Sequence, residues 1–398
     1  MLLESFFRKI VVGLNGSRVQ NFFKSKTSWL SLRELISSFL TGWVILFLLG
    51  CGPLYAPPAP TPTPTPIPLP ALRFEKIAYD VGLITAFVFL PDGRLLIAEQ
   101  NGAIKQIGEG GAHELIHQFE VSRNGFEDGL LGFALDPDFK QNQMVYTYRT
   151  VPDSSGNPTY GEVARHTLID NRLQNSEMIL ELPAYPEQRW HFGGGLTFGP
   201  DGYLYMILGD LNRVDLSRDP TTPVSSILRF AKDGSIPADN PFSNSYVYAW
   251  GVRNGFGLAW HPETGHLYAG ENGDSCDDEL NLIEAGNDYG WGLHEYDLCP
   301  YPDDATEPLF QWTPTIAPSA LTFFAADVIP EFHNKLLLCG INRNQIHLIK
   351  FSDDGRLVVS DEILEIEGRD FFCQAALAEG PDGWLYTAMD GEILRIGR

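Results

Sequence analysis

Three short stretches of this 398-residue chain collect side chains that could do chemistry. In Gly251-Val252-Arg253-Asn254-Gly255 a guanidinium and a carboxamide stand between glycines, and glycine beside polar residues in a loop lets the backbone approach a ligand closely. Asp277-Asp278-Glu279 is a run of consecutive carboxylates. Such groups repel one another, and a bound hard cation such as Ca²⁺ would relieve that; a solvated acidic turn is the plainer alternative. In Trp190-His191-Phe192-Gly193-Gly194-Gly195 a histidine precedes three glycines. It therefore sits on an open loop, either as a hydrogen-bonding turn residue or as a general base, since imidazole exchanges protons near neutral pH.

The elements that must position these residues share one texture from about Leu72 onward. The pattern apolar-Pro-Asp-Gly-X-Leu followed by an apolar run recurs as FLPDGRLLIAE at Phe89, FGPDGYLYMILGD at Phe198 and GPDGWLYTAMDG at Gly380. Looser copies are LDPDFKQNQMVYTY at Leu135 and WHPETGHLYAGE at Trp260. Pro-Asp-Gly makes a tight turn and the alternating run after it reads as a strand. No helical period is sustained. Dividing about 320 residues by roughly 40–50 per blade gives six or seven blades. An all-β propeller is the expected architecture, and a pair of β-sandwiches is the alternative.

The segments RNGFGLAWHP, ENG, DDELNLIEAG and NDYGW, in that order and spacing, resemble the glucose/sorbosone dehydrogenase family, and the resemblance runs from about Leu83 to Arg398. That family comprises six-bladed β-propellers, many of them pyrroloquinoline quinone (PQQ) sugar dehydrogenases with calcium sites. Its relatives include the propeller of hedgehog-interacting protein, which binds and does not oxidise. The resemblance implies an all-β, six-bladed propeller over residues 72–398. It implies that His191 takes the proton of a sugar C1 hydroxyl while hydride leaves for the quinone, and that Arg253 lies over the cofactor beside Asn254. Asn272, Thr315, Asn342 and Arg343 fall at cofactor-contact positions, Glu127 faces the substrate, and Gly273, Asp278, Glu279 and Tyr289 would hold calcium. A sugar substrate and a diffusible electron acceptor would be the partners.

Some positions depart from the dehydrogenase pattern. Glu127 stands where those enzymes carry glutamine, Asn272 where they often carry glutamine or histidine, and Asn342 where a lysine is usual. FFCQAALAEGPDGW lacks the arginine pair expected before the last turn, with Arg369 further upstream. PQQ carries three carboxylates and needs cations around it. A non-catalytic, calcium-binding propeller that grips a glycan or a protein is therefore the alternative function. A hydrolytic lactonase is a third reading, for which acid ligands across the central strands are lacking.

Charge and the N-terminus narrow the setting. The formal net charge is −23, which argues against nucleic acid as a partner, because phosphate binding needs a basic face. Residues 1–51 combine a basic lead with the short apolar run Phe39–Gly50, too short to span a bilayer comfortably. They read as a secretory signal of the lipoprotein type, with Cys51 as the lipidated residue; an uncleaved anchor and an unlipidated secreted form are the other possibilities. Residues 52–71 are a proline-rich linker, stiff and extended. The protein is thus expected outside the cytoplasm, touching the membrane only through its lipid. Cys276, Cys299, Cys339 and Cys373 allow three disulfide pairings, and Cys276–Cys299 with Cys339–Cys373 is the more local.

Overall fold

The computed structural model describes residues 71–274, 277–292, 305–366 and 373–398. The expectations placed on Cys51, the signal segment, nearly all of the linker, Cys276, Cys299 and Arg369 lie outside the described residues. Those residues form six four-stranded antiparallel sheets arranged as a six-bladed β-propeller. The inner strands are Ile84–Phe89, Leu130–Leu135, Gly194–Phe198, Gly257–Trp260, Pro318–Phe324 and Leu377–Glu379. All six approach a central cavity of about 150 Å³. The strand Arg73–Ala78 precedes blade 1 in the chain and pairs antiparallel with Glu392–Gly397, so the first strand closes the last blade. No helix among the described residues is long and apolar enough to cross a membrane.

The recurring Pro-Asp-Gly is a working turn. Gly93, Gly202 and Gly383 have φ of +91°, +80° and +73°, a region in which any other residue is strained. In two copies the aspartate also fastens the strand that follows. Asp201 accepts hydrogen bonds from the Tyr205 hydroxyl at 2.8 Å and from Arg229 at 3.1 Å. Asp382 accepts them from the Tyr386 hydroxyl at 3.0 Å and from Arg395 at 2.9 Å. The copy at Leu135 behaves differently, because Phe139 replaces the glycine and the chain makes a short helix, Phe139–Asn142.

Burial lies between blades. Each of six apolar clusters joins one pair of neighbours, as where Tyr146, Tyr148 and Leu180 meet Phe192, Met206 and Phe230. Cys339 of blade 5 is bonded to Cys373, which precedes the inner strand of blade 6. A blade cannot bury both of its faces alone, so closure of the ring completes the core.

Candidate functional site

In an antiparallel blade, the start of the first strand and the turn between the second and third lie at the same end. These two loop types from blades 2–5 build one cavity of about 390 Å³. It is lined by Glu127, His191, Arg253, Asn254, Asn272, Gly273, Asp278, Thr315 and Asn342, joined by Trp190, Asn212, Asp274 and Ala317. Residues scattered over more than 200 positions of sequence thus converge on one site.

His191 is held from both sides. Its Nδ1 lies 2.6 Å from Asp210 Oδ1, and its backbone N–H donates to Glu127 Oε2 at 2.6 Å. Asp210 is buried, and it also accepts hydrogen bonds from the Asn212 N–H and the Trp291 indole N–H, both at 2.8 Å. A carboxylate at Nδ1 puts the ring proton there and leaves Nε2 as acceptor. The glycines around His191 permit this closeness: a Cβ on Gly209 would lie 2.4 Å from the His191 carbonyl, and one on Gly193 2.2 Å from that of Ile207. His191, Leu211, Asn212 and Ala317 have φ of +65°, +53°, +52° and +54°. For a non-glycine residue such a conformation costs on the order of 1–3 kcal/mol, least for asparagine, and the surrounding packing must hold it.

Glu127 and Asn254 form the next layer. Asn254 donates from Nδ2 to Glu127 Oε2 at 3.0 Å and accepts the Gly193 N–H at 3.2 Å. Burial pushes the Glu127 carboxyl above its ordinary range, against the hydrogen bonds from His191 and Asn254 that favour its charge. Arg253 reaches the Asn272 carbonyl at 3.2 Å and lies across the Trp291 ring at 5.3 Å, while its buried Nε has no partner. Its backbone N–H donates to Glu271 Oε1 at 2.6 Å. Asn272 is itself pinned by donation to the Pro318 carbonyl at 3.0 Å.

The other expected site residues make structural contacts of their own. Asp278 lines the cavity, but both its oxygens are taken by backbone N–H groups of Gly273, Ile316 and Ala317, at 3.0, 2.5 and 2.6 Å. Burial raises its pKa. It therefore anchors the loop before blade 5 through Oδ2, while Oδ1 takes one N–H at the cavity wall. The Tyr289 hydroxyl donates to the Leu282 carbonyl at 2.6 Å and accepts from the Glu284 N–H, locking a turn away from the cavity. Glu279 is buried opposite Glu271 in the strand register, and Asn281 Nδ2 donates to both carboxylates at 3.1 Å. Burial, and then the Glu279 charge, push the Glu271 pKa well above the usual range. Among the described residues no three His, Cys, Asp or Glu side chains converge as metal ligands. A cation here would draw on the Glu271–Glu279 pair and on carbonyls. Arg343 is exposed at the end of the 3₁₀ turn Ile341–Arg343 and does not line the cavity, whereas Asn342 does; adjacent residues of such a turn point about 120° apart.

The profile of the family described as glucose/sorbosone dehydrogenase matches residues 84–396. The chain belongs to that family. It is 29% identical to aldose sugar dehydrogenase YliI of Escherichia coli K12, over 78% of this chain and 89% of that one. The PQQ-bound aldose sugar dehydrogenase of Streptomyces coelicolor superposes with a TM-score of 0.69 at 26% identity, covering 83% of this chain and 99% of that one. Human hedgehog-interacting protein is 31% identical over 40% of this chain and 27% of its own length. In this family member the site residue that motif reading missed is Asp210. Its sequence signal is an acid two residues past the strand that follows Pro-Asp-Gly.

Proposed function

We propose that the protein oxidises aldose sugars at C1 to lactones outside the cytoplasm, with PQQ as hydride acceptor. The observation that carries this reading is the His191–Asp210 pair at the wall of a polar cavity that also holds Arg253. With Asp210 fixing the proton on Nδ1, His191 Nε2 accepts the proton of the C1 hydroxyl, and the buried carboxylate stabilises the imidazolium that forms. PQQ, when bound, supplies a quinone that accepts the hydride. Arg253, Asn272, Thr315 and Asn342 would hold it. The donor set fits in kind: a guanidinium with an unpartnered Nε, two carboxamides and a hydroxyl. Among the described residues lining the cavity Arg253 is the one Lys or Arg, and Asp274 lies 3.3 Å from it, so calcium near the Glu271–Glu279 pair would offset the negative charge of the cofactor. Relatives bearing the names aldose sugar dehydrogenase and PQQ-bound aldose sugar dehydrogenase support the assignment. The Leu48-Leu49-Gly50-Cys51 stretch and the proline-rich linker support a lipid-anchored position on the cell envelope, with a diffusible acceptor collecting the electrons.

The second reading is a binding propeller, favoured by Glu127 in the cavity and by the similarity to hedgehog-interacting protein. Dye-coupled oxidation of aldoses after addition of calcium and PQQ separates the two. Turnover that disappears in His191→Ala, with PQQ still bound, is expected. Failure of PQQ to bind, with no aldose oxidised, would overturn the catalytic reading.

A further inference from the structure

Two large aromatic side chains stand in solvent at the edge of the cavity. Phe126 is 67% exposed and Trp190 is 43% exposed. Their rings stack, with centroids 4.3 Å apart and planes within 14° of parallel. Each is the immediate neighbour of a site residue, Phe126 of Glu127 and Trp190 of His191, and Trp190 itself lines the cavity. Exposed aromatic surface of this kind is unfavourable in water and marks a place where something apolar is laid down.

The pair is built to stay in place. The Phe126 N–H donates to the Arg189 carbonyl at 2.9 Å, and Gln100 Nε2 donates to the Phe126 carbonyl at 3.0 Å. Gln188, itself buried, donates to the Trp190 carbonyl at 2.8 Å. The two loops are thereby tied to each other and to blade 1. A shelf fixed before its ligand arrives loses little entropy on binding.

We infer that the Phe126–Trp190 shelf is a subsite for the second sugar ring of an oligosaccharide whose reducing end enters the cavity. The inference rests on the proposed aldose oxidation. A sugar oxidised at C1 carries any further rings on its other carbons, so those rings must leave the cavity across its rim. A pyranose presents C–H groups on one face and hydroxyls around its edge. The flat aromatic surface takes the C–H face, while the hydroxyls stay in water. The shelf carries no charge, which suits a neutral ligand.

The test compares glucose with maltotriose on the full-length protein loaded with calcium and PQQ, using wild type, Phe126→Ala and Phe126→Tyr. One stacked ring corresponds to roughly five- to tenfold in affinity. Phe126→Ala should therefore lower kcat/KM for maltotriose roughly five- to tenfold more than for glucose, mainly through KM, and Phe126→Tyr should restore the ratio. Equal effects on both sugars, or none on either, would overturn the subsite. Saturation-transfer NMR of maltotriose on the cofactor-free protein reads the shelf independently of turnover. Signal on the non-reducing rings that is lost in Phe126→Ala supports the shelf even if no aldose is oxidised, in which case only the catalytic reading fails. Absence of that signal in wild type overturns the shelf.

Discussion

Asp210→Asn preserves shape and removes a charge, which makes it the sharpest probe of the proposed base. Asp210 Oδ1 accepts from His191 Nδ1 at 2.6 Å and from the Asn212 amide at 2.8 Å, while Oδ2 accepts from the Trp291 indole at 2.8 Å. All three partners offer hydrogens, so a carboxamide must turn its NH₂ toward at least one of them. Turned toward Trp291, it leaves the indole without an acceptor. Turned toward His191, it makes Nδ1 the acceptor and puts the ring proton on Nε2, where the base is blocked. In both cases the imidazolium formed during reaction loses its counter-charge. Two unit charges about 4 Å apart interact by about 4 kcal/mol at an effective dielectric of 20, which is roughly a thousandfold in rate. The mismatched buried donor costs a further ~1–3 kcal/mol of fold stability. Steady-state kinetics with an aldose, PQQ, calcium and a dye, run well below the melting transition, should show kcat lowered on the order of 10²–10⁴ with KM little changed. A kcat within about threefold of wild type would mean that no charge develops on His191 in the rate-limiting step, and the acid–base assignment would fall.

Glu127→Gln tests the other support of His191. Burial raises the Glu127 pKa in the fold, so its ionised form opposes folding, and the penalty sets in as pH rises from the unfolded value through the folded one. A glutamine oxygen can still accept from both His191 and Asn254. The variant should therefore melt higher than wild type at neutral pH and converge with it near about pH 4, and a constant offset across pH would refute the linkage. The Cys339–Cys373 bond closes a 34-residue separation, worth about 3–4 kcal/mol by loop-closure entropy. Cys373→Ser should accordingly lower the unfolding free energy in denaturant by an amount of that order, and an unchanged midpoint would show that the packing of blades 5 and 6 makes the bond redundant. Calcium should raise the melting temperature, and PQQ should raise it further only when calcium is present, because one lining arginine leaves the cofactor's carboxylates under-compensated. An equal PQQ shift in the presence of chelator would refute that dependence.

The propeller was legible because its repeat is written locally. Pro-Asp-Gly fixes a turn, the turn fixes a strand pair, and the glycine φ values bear that out. The cavity residues were legible through family motifs, and His191, Arg253, Asn254, Asn272, Thr315 and Asn342 do come together. What the sequence hid is the sharing of single groups between loops. Asp278 looks like a cation ligand when it is read beside Asp277 and Glu279. It also takes the Ile316 and Ala317 amides some 38 residues away, and no local pattern announces them. Arg343 is exposed beside Asn342 on the 3₁₀ turn Ile341–Arg343, and only Asn342 lines the cavity.

Asp210 was hidden differently, because its partner His191 stands 19 residues earlier, on a separate loop. In blade 1, Glu99 closes the second strand and accepts the N–H of Gly82, in the loop entering the same blade. In blade 4, Glu271 closes the second strand and accepts the N–H of Arg253 in the corresponding loop. In blade 2 the Thr150 hydroxyl takes the Gly129 N–H at that place. In blade 3 Asp210 lies two residues past the second strand, and the group it meets is the imidazole of His191. Under the proposed mechanism this acid would also set the His191 tautomer and stabilise the charge formed there. Carboxylates at or just past the second strand thus take groups of the entering loop in blades 1, 3 and 4, and the proposed chemistry would draw on the one in blade 3. The difference is made by the residue that the entering loop presents to it. Exchanging His191 for alanine should accordingly leave the propeller folded, because the anchor keeps the Asn212 and Trp291 donors, while the proposed chemistry is lost.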